Sequence, residues 1–223
     1  MIRIAILISG RGSNMLRLAE MISAMPDRAQ IVLVAANNDC DGLVQAAALG
    51  LPTTLVDRQQ FADRSSHESA LAAQIEDASA DWILLAGYMA ILSAAFIARF
   101  PHRILNIHPS LLPELKGLNT HARALAANRD RHGATVHMVT PQLDDGPVVV
   151  QAGLTIGHGE TEQALASRVL ALEHALYPFV VMSLADEVLT IRDGRPVWRD
   201  AVKALKAAPP SIGDVLKPAV IWP

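Results

Sequence analysis

The sequence predicts an α/β protein with a mostly parallel central sheet, helices on both faces and an antiparallel addition near the C-terminus. Three observations carry that expectation. Short apolar runs recur at Ile2–Ile8, Gln30–Ala36, Thr53–Val56, Trp82–Ala86 and Arg103–His108. Segments of helical patterning separate them, which is the alternation a parallel sheet requires. Of the 223 residues 51% are hydrophobic, enough for a sizeable core without disulfide or metal staples.

Composition narrows the function. A net charge of −3 argues against a nucleic-acid surface, which needs clustered Lys and Arg. Cys40 is the single cysteine, so no intrachain disulfide is possible and a reducing, cytoplasmic setting is expected. The apolar start MIRIAILIS ends at Gly10-Arg11-Gly12, too short for a membrane span and without a small-residue cleavage pattern.

Ile2–Ile8 is almost continuously apolar, as an inner parallel strand covered on both faces should be. Ser9-Gly10-Arg11-Gly12-Ser13-Asn14 follows, and then an amphipathic helix expected over Met15–Met25. Strand, small-residue loop and helix is a geometry that holds phosphate on backbone N–H groups, with Ser13 and Asn14 as added donors or caps. The spacing matches neither a Walker loop nor a dinucleotide fingerprint. Further helices are expected over Gly42–Leu49, from Ser65 or Ser66 to Ser79, and over Ile91–Phe100, which Pro101 ends.

Arg103–Pro113, RILNIHPSLLP, organises the chain. Asn106 and His108 lie two residues apart on a strand, so both side chains leave it on one side. Pro109 and Pro113 stop the strand and hold a loop. An amide and an imidazole at a strand mouth can stabilise an oxyanion, and the imidazole can move a proton near neutral pH. Beyond it, Glu114–Thr120 is polar, glycine-bearing and expected to be mobile, and Thr120–Asn128 is helical. His132–Val139 and Pro147–Val150 form an antiparallel pair around the turn Gln142–Gly146. Thr161 to Leu184 is a long helix in which Pro178 predicts a kink or break. Arg192-Asp193-Gly194 joins a small hairpin. The tail from Ala207 carries four prolines and is expected to wrap loosely or to be partly disordered.

Several motifs now stand together: Ile6–Asn14, AGYMAILS at Ala86–Ser93, LNIHPSLLP at Leu105–Pro113 and KGLNTH at Lys116–His121. HGATVHMV at His132–Val139, LDDGPVVVQ at Leu143–Gln151 and EHALYP at Glu173–Pro178 complete the set. By these the chain resembles the glycinamide ribonucleotide branch of the folate-dependent formyltransferase family, from about Ile4 to Trp198. The resemblance implies a single-domain Rossmann-like formyltransferase fold over 1–200 with a C-terminal tail, 201–223. The half to about residue 100 would bind phosphate, and the half from about 101 would hold the folate and the catalytic groups.

The activity implied is transfer of the formyl group of 10-formyltetrahydrofolate to the primary amine of 5'-phosphoribosylglycinamide, in purine biosynthesis. By this analogy Asn106 and His108 stabilise the tetrahedral oxyanion, and Asp144 pairs with the histidine and relays protons through an ordered water. Ser110 and Thr135 would organise the triad, with His121 and His137 nearby. Gly12, Ser13 and Asn14 would bind the substrate phosphate and Glu173 its ribose hydroxyls. Main-chain groups of Ala90 and Leu92, the side chains of Met89, Ile91 and Leu92, and Thr140, Asp144 and Asn106 would hold the folate. Arg64 would reach its glutamate tail. This chemistry needs no metal, and no histidine pair has convincing metal-ligand spacing. The expected partners are the two small-molecule substrates, with no nucleic acid or membrane, in a monomer or homodimer.

Three positions depart from the family pattern: Ala90 where Arg is common, Leu170 where a polar or basic residue often helps the phosphate, and Asp145 where Gly is frequent. Asp145 is expected to repel Asp144. The rivals are a formyltetrahydrofolate hydrolase and a non-catalytic phosphometabolite-binding protein on the same fold. The hydrolases carry an added N-terminal domain and usually NxHHSFLP, whereas Pro109 follows His108 here.

Overall fold

The computed structural model describes residues 1–223, which divide into two compact units, Met1–Asn106 and Ile107–Pro223. The class is the one expected, α/β with mostly parallel strands.

The first unit runs β1 (Ile2–Ile8), α1 (Ser13–Ser23), β2 (Ala29–Ala36), α2 (Asp41–Ala48) and β3 (Thr53–Leu55). A short 3-10 helix, Arg58–Gln60, leads to α3 (Arg64–Asp77), β4 (Trp82–Leu85), α4 (Ala94–Arg99) and β5 (Ile104–His108), whose last two residues open the second unit. The strands are all parallel, in the order β5-β4-β1-β2-β3. Ile4 to Ile8 and Leu84 are fully buried, as parallel strands covered on both faces must be. From β1 the chain winds first to one side and then, from β4, to the other. That reversal opens a crevice at the carboxyl ends of β1 and β4. The loops there are tied together, since Met89 N donates to Ser9 Oγ at 2.8 Å and Ser9 N to Gly87 O at 3.1 Å.

Helix boundaries moved where caps were misread. α1 begins at Ser13, with Gly12 as its N-cap in the left-handed region (φ 74°) and no side-chain cap, so neither Ser13 nor Asn14 caps it. Asp63, rather than Ser65 or Ser66, caps α3. Its carboxylate accepts from Ser66 N at 2.8 Å, and Ser66 completes a capping box. α4 starts only at Ala94 because Ser93 Oγ accepts from Phe96 N.

The second unit runs α5 (Thr120–Ala126), β6 (Arg131–Met138), β7 (Val148–Thr155), α6 (Glu162–Ala185), β8 (Leu189–Arg192), β9 (Arg195–Trp198), α7 (Ala201–Ala207), α8 (Pro210–Leu216) and β10 (Val220–Ile221). β6 and β7 pair antiparallel as expected, and β10 adds antiparallel to β7. β8 and β9 form the separate hairpin. α6 is long and apolar enough to cross a membrane, but it is a core helix, with Leu176, Tyr177, Phe179, Val180 and Val181 fully buried. It continues through Pro178 without a break. The tail is a correction. It folds as α8 and β10 because Trp222 meets the rings of Phe179 and Trp198, and Gly153 N donates to Ala219 O. The four prolines sit at ends and turns, where no ladder hydrogen bond is lost.

Candidate active site

β5 presents Asn106 half-buried and His108 buried, on the same side of the strand. His108 Nε2 lies 3.1 Å from Leu115 O, and its Nδ1 lies 3.5 Å from Asp144 Oδ2. Each ring nitrogen therefore faces an oxygen acceptor. Asp144 is buried at a left-handed turn position (φ 49°). Its Oδ2 accepts from Gly117 N at 2.9 Å, and its Oδ1 lies 3.7 Å from His137 Nε2. Burial holds the His137 pKa below the ordinary histidine value, against the opposing pull of its bond to Met138 O and of Asp144.

The shell around these groups is fully bonded. Thr135 Oγ1 donates to Ser110 O at 2.6 Å and accepts from Leu112 N and from Gln151 Nε2. Ser110 Oγ donates to Glu114 O at 2.7 Å. These bonds fix the loop that leaves β5. The expectation of a mobile Glu114–Thr120 meets a segment held throughout. Gly117 bonds Asp144, Arg123 donates to the carbonyls of Lys116 and Leu118, and Lys116 pairs with Asp145. That last pair also answers the expected repulsion, because the Asp145 charge turns outward and is met by Lys116.

His121 Nδ1 and His132 Nε2 stand 3.1 Å apart, which requires one of the two nitrogens to be unprotonated. Burial, aided by His121 and His108, pushes the pKa of His132 down to about 4. As pH falls below the unfolded value of 6.5, the unfolded chain takes up a proton that the folded chain refuses. Stability from this group is therefore present above that value, and it is lost as pH falls from about 6.5 towards about 4. Thermal unfolding midpoints should decline across that window, and His132→Gln should shrink the decline. An unchanged decline in the variant would assign the loss to other groups.

In the first unit, the loop Ser9–Gly12 packs on α2 through a contact the sequence did not reveal. Gly42 N donates to Gly10 O at 3.0 Å, and a Cβ on Gly42 would lie 2.6 Å from that oxygen and 3.1 Å from Gly12 Cα. Only glycine allows this approach. Asn14 is on the buried face of α1. A cleft of about 320 Å³ in the same unit is lined by Arg64, Met89, Ala90 and Ile91, together with Arg58 and Tyr88, which sequence reasoning did not single out. Leu92, by contrast, is buried. Glu173 in the second unit is buried on α6, and Thr140 Oγ1 donates to Gln142 O.

A parallel sheet with a tied crevice at its strand ends, and a buried histidine facing a carboxylate, are features of an α/β enzyme. Residues 2–181 match the family model described as formyl transferase, and the chain belongs to that family. It is 37% identical over 198 residues to phosphoribosylglycinamide formyltransferase of Escherichia coli (strain K12), covering 88% of this chain and 93% of that protein. It is 36% identical over 200 residues to the trifunctional purine biosynthetic protein adenosine-3 of Gallus gallus, covering 89% of this chain but only 20% of that protein. Among solved structures, glycinamide ribonucleotide transformylase 1 from Symbiobacterium toebii superposes with a TM-score of 0.84 at 35% identity, covering 89% of this chain and 94% of that one.

Proposed function

We propose that this chain transfers the formyl group of 10-formyltetrahydrofolate to the primary amine of 5'-phosphoribosylglycinamide, as a step of purine biosynthesis in the cytoplasm. The observation that carries the reading is the buried Asp144 carboxylate facing His108, with Asn106 on the same side of β5. The Escherichia coli relative, similar over nearly its whole length and named phosphoribosylglycinamide formyltransferase, supports formyl transfer to the ribonucleotide amine.

In this reading the unprotonated amine attacks the formyl carbon, and the carbonyl electrons move onto oxygen. The amide of Asn106 donates to that oxyanion, as does His108 with Nε2 exchanging Leu115 O for it while Nδ1 stays on Asp144, each worth ~10²–10³ in rate. The nitrogen, now positive, loses its proton by way of water to Asp144. Collapse of the intermediate then breaks the bond to N10 of the folate, which takes that proton back from Asp144 through water and leaves as the amine of tetrahydrofolate. The loop at Gly12, Ser13 and Asn14 takes the phosphate, and Glu173 accepts from the ribose hydroxyls. Arg64, Met89, Ala90, Ile91, Leu92 and Thr140 contribute to holding the folate.

The test is an assay of tetrahydrofolate formation from 10-formyltetrahydrofolate with and without the ribonucleotide amine. Product that appears only with the amine is the expected result. Equal product without it would make the chain a hydrolase. No product in either case, with binding of both substrates intact, would leave a binding protein. The rate should also fall at acid pH, because the amine attacks only as the free base, and a flat profile down to about pH 5 would refute the proton steps.

A further inference from the structure

We propose that Arg58 is a carboxylate-binding residue of the cleft in the first unit, where with Arg64 it grips the glutamyl carboxylates of the formyl donor. The inference rests on the folate reading above and adds a residue to it.

The cleft holds two guanidinium groups of different standing. Arg64 is already engaged, with Nε 2.9 Å from Glu68 Oε1 and Nη2 donating to Ile91 O at 2.5 Å. Glu68 in turn accepts from Ser93 N and Ser93 Oγ. Burial disfavours the Glu68 carboxylate, but the bonds from Ser93 and Arg64 outweigh it and hold its pKa below the ordinary glutamate value, so it is ionised at neutral pH. Arg58 has no side-chain hydrogen bond or ion pair. Only its backbone is used, its N–H donating to Asn37 O at 3.0 Å and its carbonyl accepting from Phe61 N. The cleft therefore carries two cations against one carboxylate, and the unmatched charge is that of Arg58.

Its placement is fixed in advance. Asp57 caps the 3-10 helix by accepting from Gln59 N, so the segment bearing Arg58 is held while the side chain is left to the cleft. Tyr88 shares the cleft. Burial, with Glu68 adding to it and Arg58 and Arg64 opposing, pushes its pKa up to about 12, so its hydroxyl keeps a proton to donate. Beside the charges, Met89 and Ile91 are 70% and 59% exposed. An unmatched guanidinium next to exposed apolar side chains suits a carboxylate on an apolar stem better than a bare phosphate. The aminobenzoyl-glutamate arm of a folate has that chemistry. Ala90, in the same cleft, carries no charge, so Arg58 and Arg64 are the arginines that line it.

The experiment compares wild type with Arg58→Met and Arg58→Lys, using 10-formyltetrahydrofolate, its triglutamyl form and the corresponding donor truncated to the pteroate. Arg58→Met should raise the donor KM about 5–30-fold, the range of one charge-assisted hydrogen bond at a partly exposed site. The turnover number and the KM for the amine should hold. The effect should be larger for the triglutamyl donor, should vanish with the pteroate donor, and should be partly restored in Arg58→Lys. An unchanged donor KM, or an equal loss with the pteroate donor, overturns the proposal. Equilibrium binding of tetrahydrofolate and tetrahydropteroate, followed by calorimetry, separates the two readings. Glutamate-dependent binding that needs Arg58 in a protein that transfers no formyl group would sink the activity and leave this inference standing.

Discussion

Asp144→Asn should lower the turnover number for formyl transfer by ~10²–10⁴-fold, the range for loss of a positioned proton acceptor. The substitution keeps shape and one carbonyl oxygen, so the bond from Gly117 N survives and the loop stays anchored. What disappears is the charge opposite His108 and, in the proposed mechanism, the site that takes the proton from the nitrogen. The amine KM should shift far less, because the proposed phosphate and ribose contacts do not involve this residue. Steady-state kinetics together with a melting curve decide the matter. A turnover number within threefold of wild type, at equal stability, would remove Asp144 from the chemistry.

Gly146→Ala should damage stability and rate together. A Cβ at residue 146 would run directly onto the Met138 carbonyl oxygen, at the end of β6. That backbone is held in place, since Met138 N donates to Pro147 O at 2.9 Å, so the turn must shift instead. Overpacking of this kind costs ~1–3 kcal/mol, which for a chain of this size is a fall of roughly 3–10 °C in Tm. The displaced turn carries Asp144, so the turnover number should fall with it while the donor KM stays nearer wild type. Asp145→Ala, one residue before, removes only an exposed pair with Lys116 and should change Tm by less than about 2 °C. If the two variants behaved alike, the close approach at Gly146 would not be what holds the turn.

Much of the site was legible because its signals are local. Asn106 and His108 are two residues apart, and strand periodicity alone puts them on one side. The apolar runs marked the parallel strands, and their alternation with helices marked the sheet as parallel. Asp144 was different. Asp-Asp-Gly-Pro reads as an ordinary turn, and only the resemblance to a family pointed to its first carboxylate. Helix starts were misjudged because Gly12 and Asp63 compete with neighbouring serines as caps, and the winner depends on backbone angles. Arg58 gave no signal, as an arginine in a polar stretch reads as a solvated surface residue.

The sequence by itself determined the α/β class, the strand that bears Asn106 and His108, and the family to which the chain belongs. Those properties come from periodicity, turn chemistry and motif spacing, all of which act over a few residues. Only the tertiary structure decided that Leu115 O faces Nε2 of His108, and that Lys116 meets the charge of Asp145. It alone decided that Gly42 must lack a side chain beneath the glycine loop, and that Trp222 orders the tail against Phe179. Most of these are contacts between residues far apart in the chain, set by how packed elements exclude one another, and no local pattern encodes them.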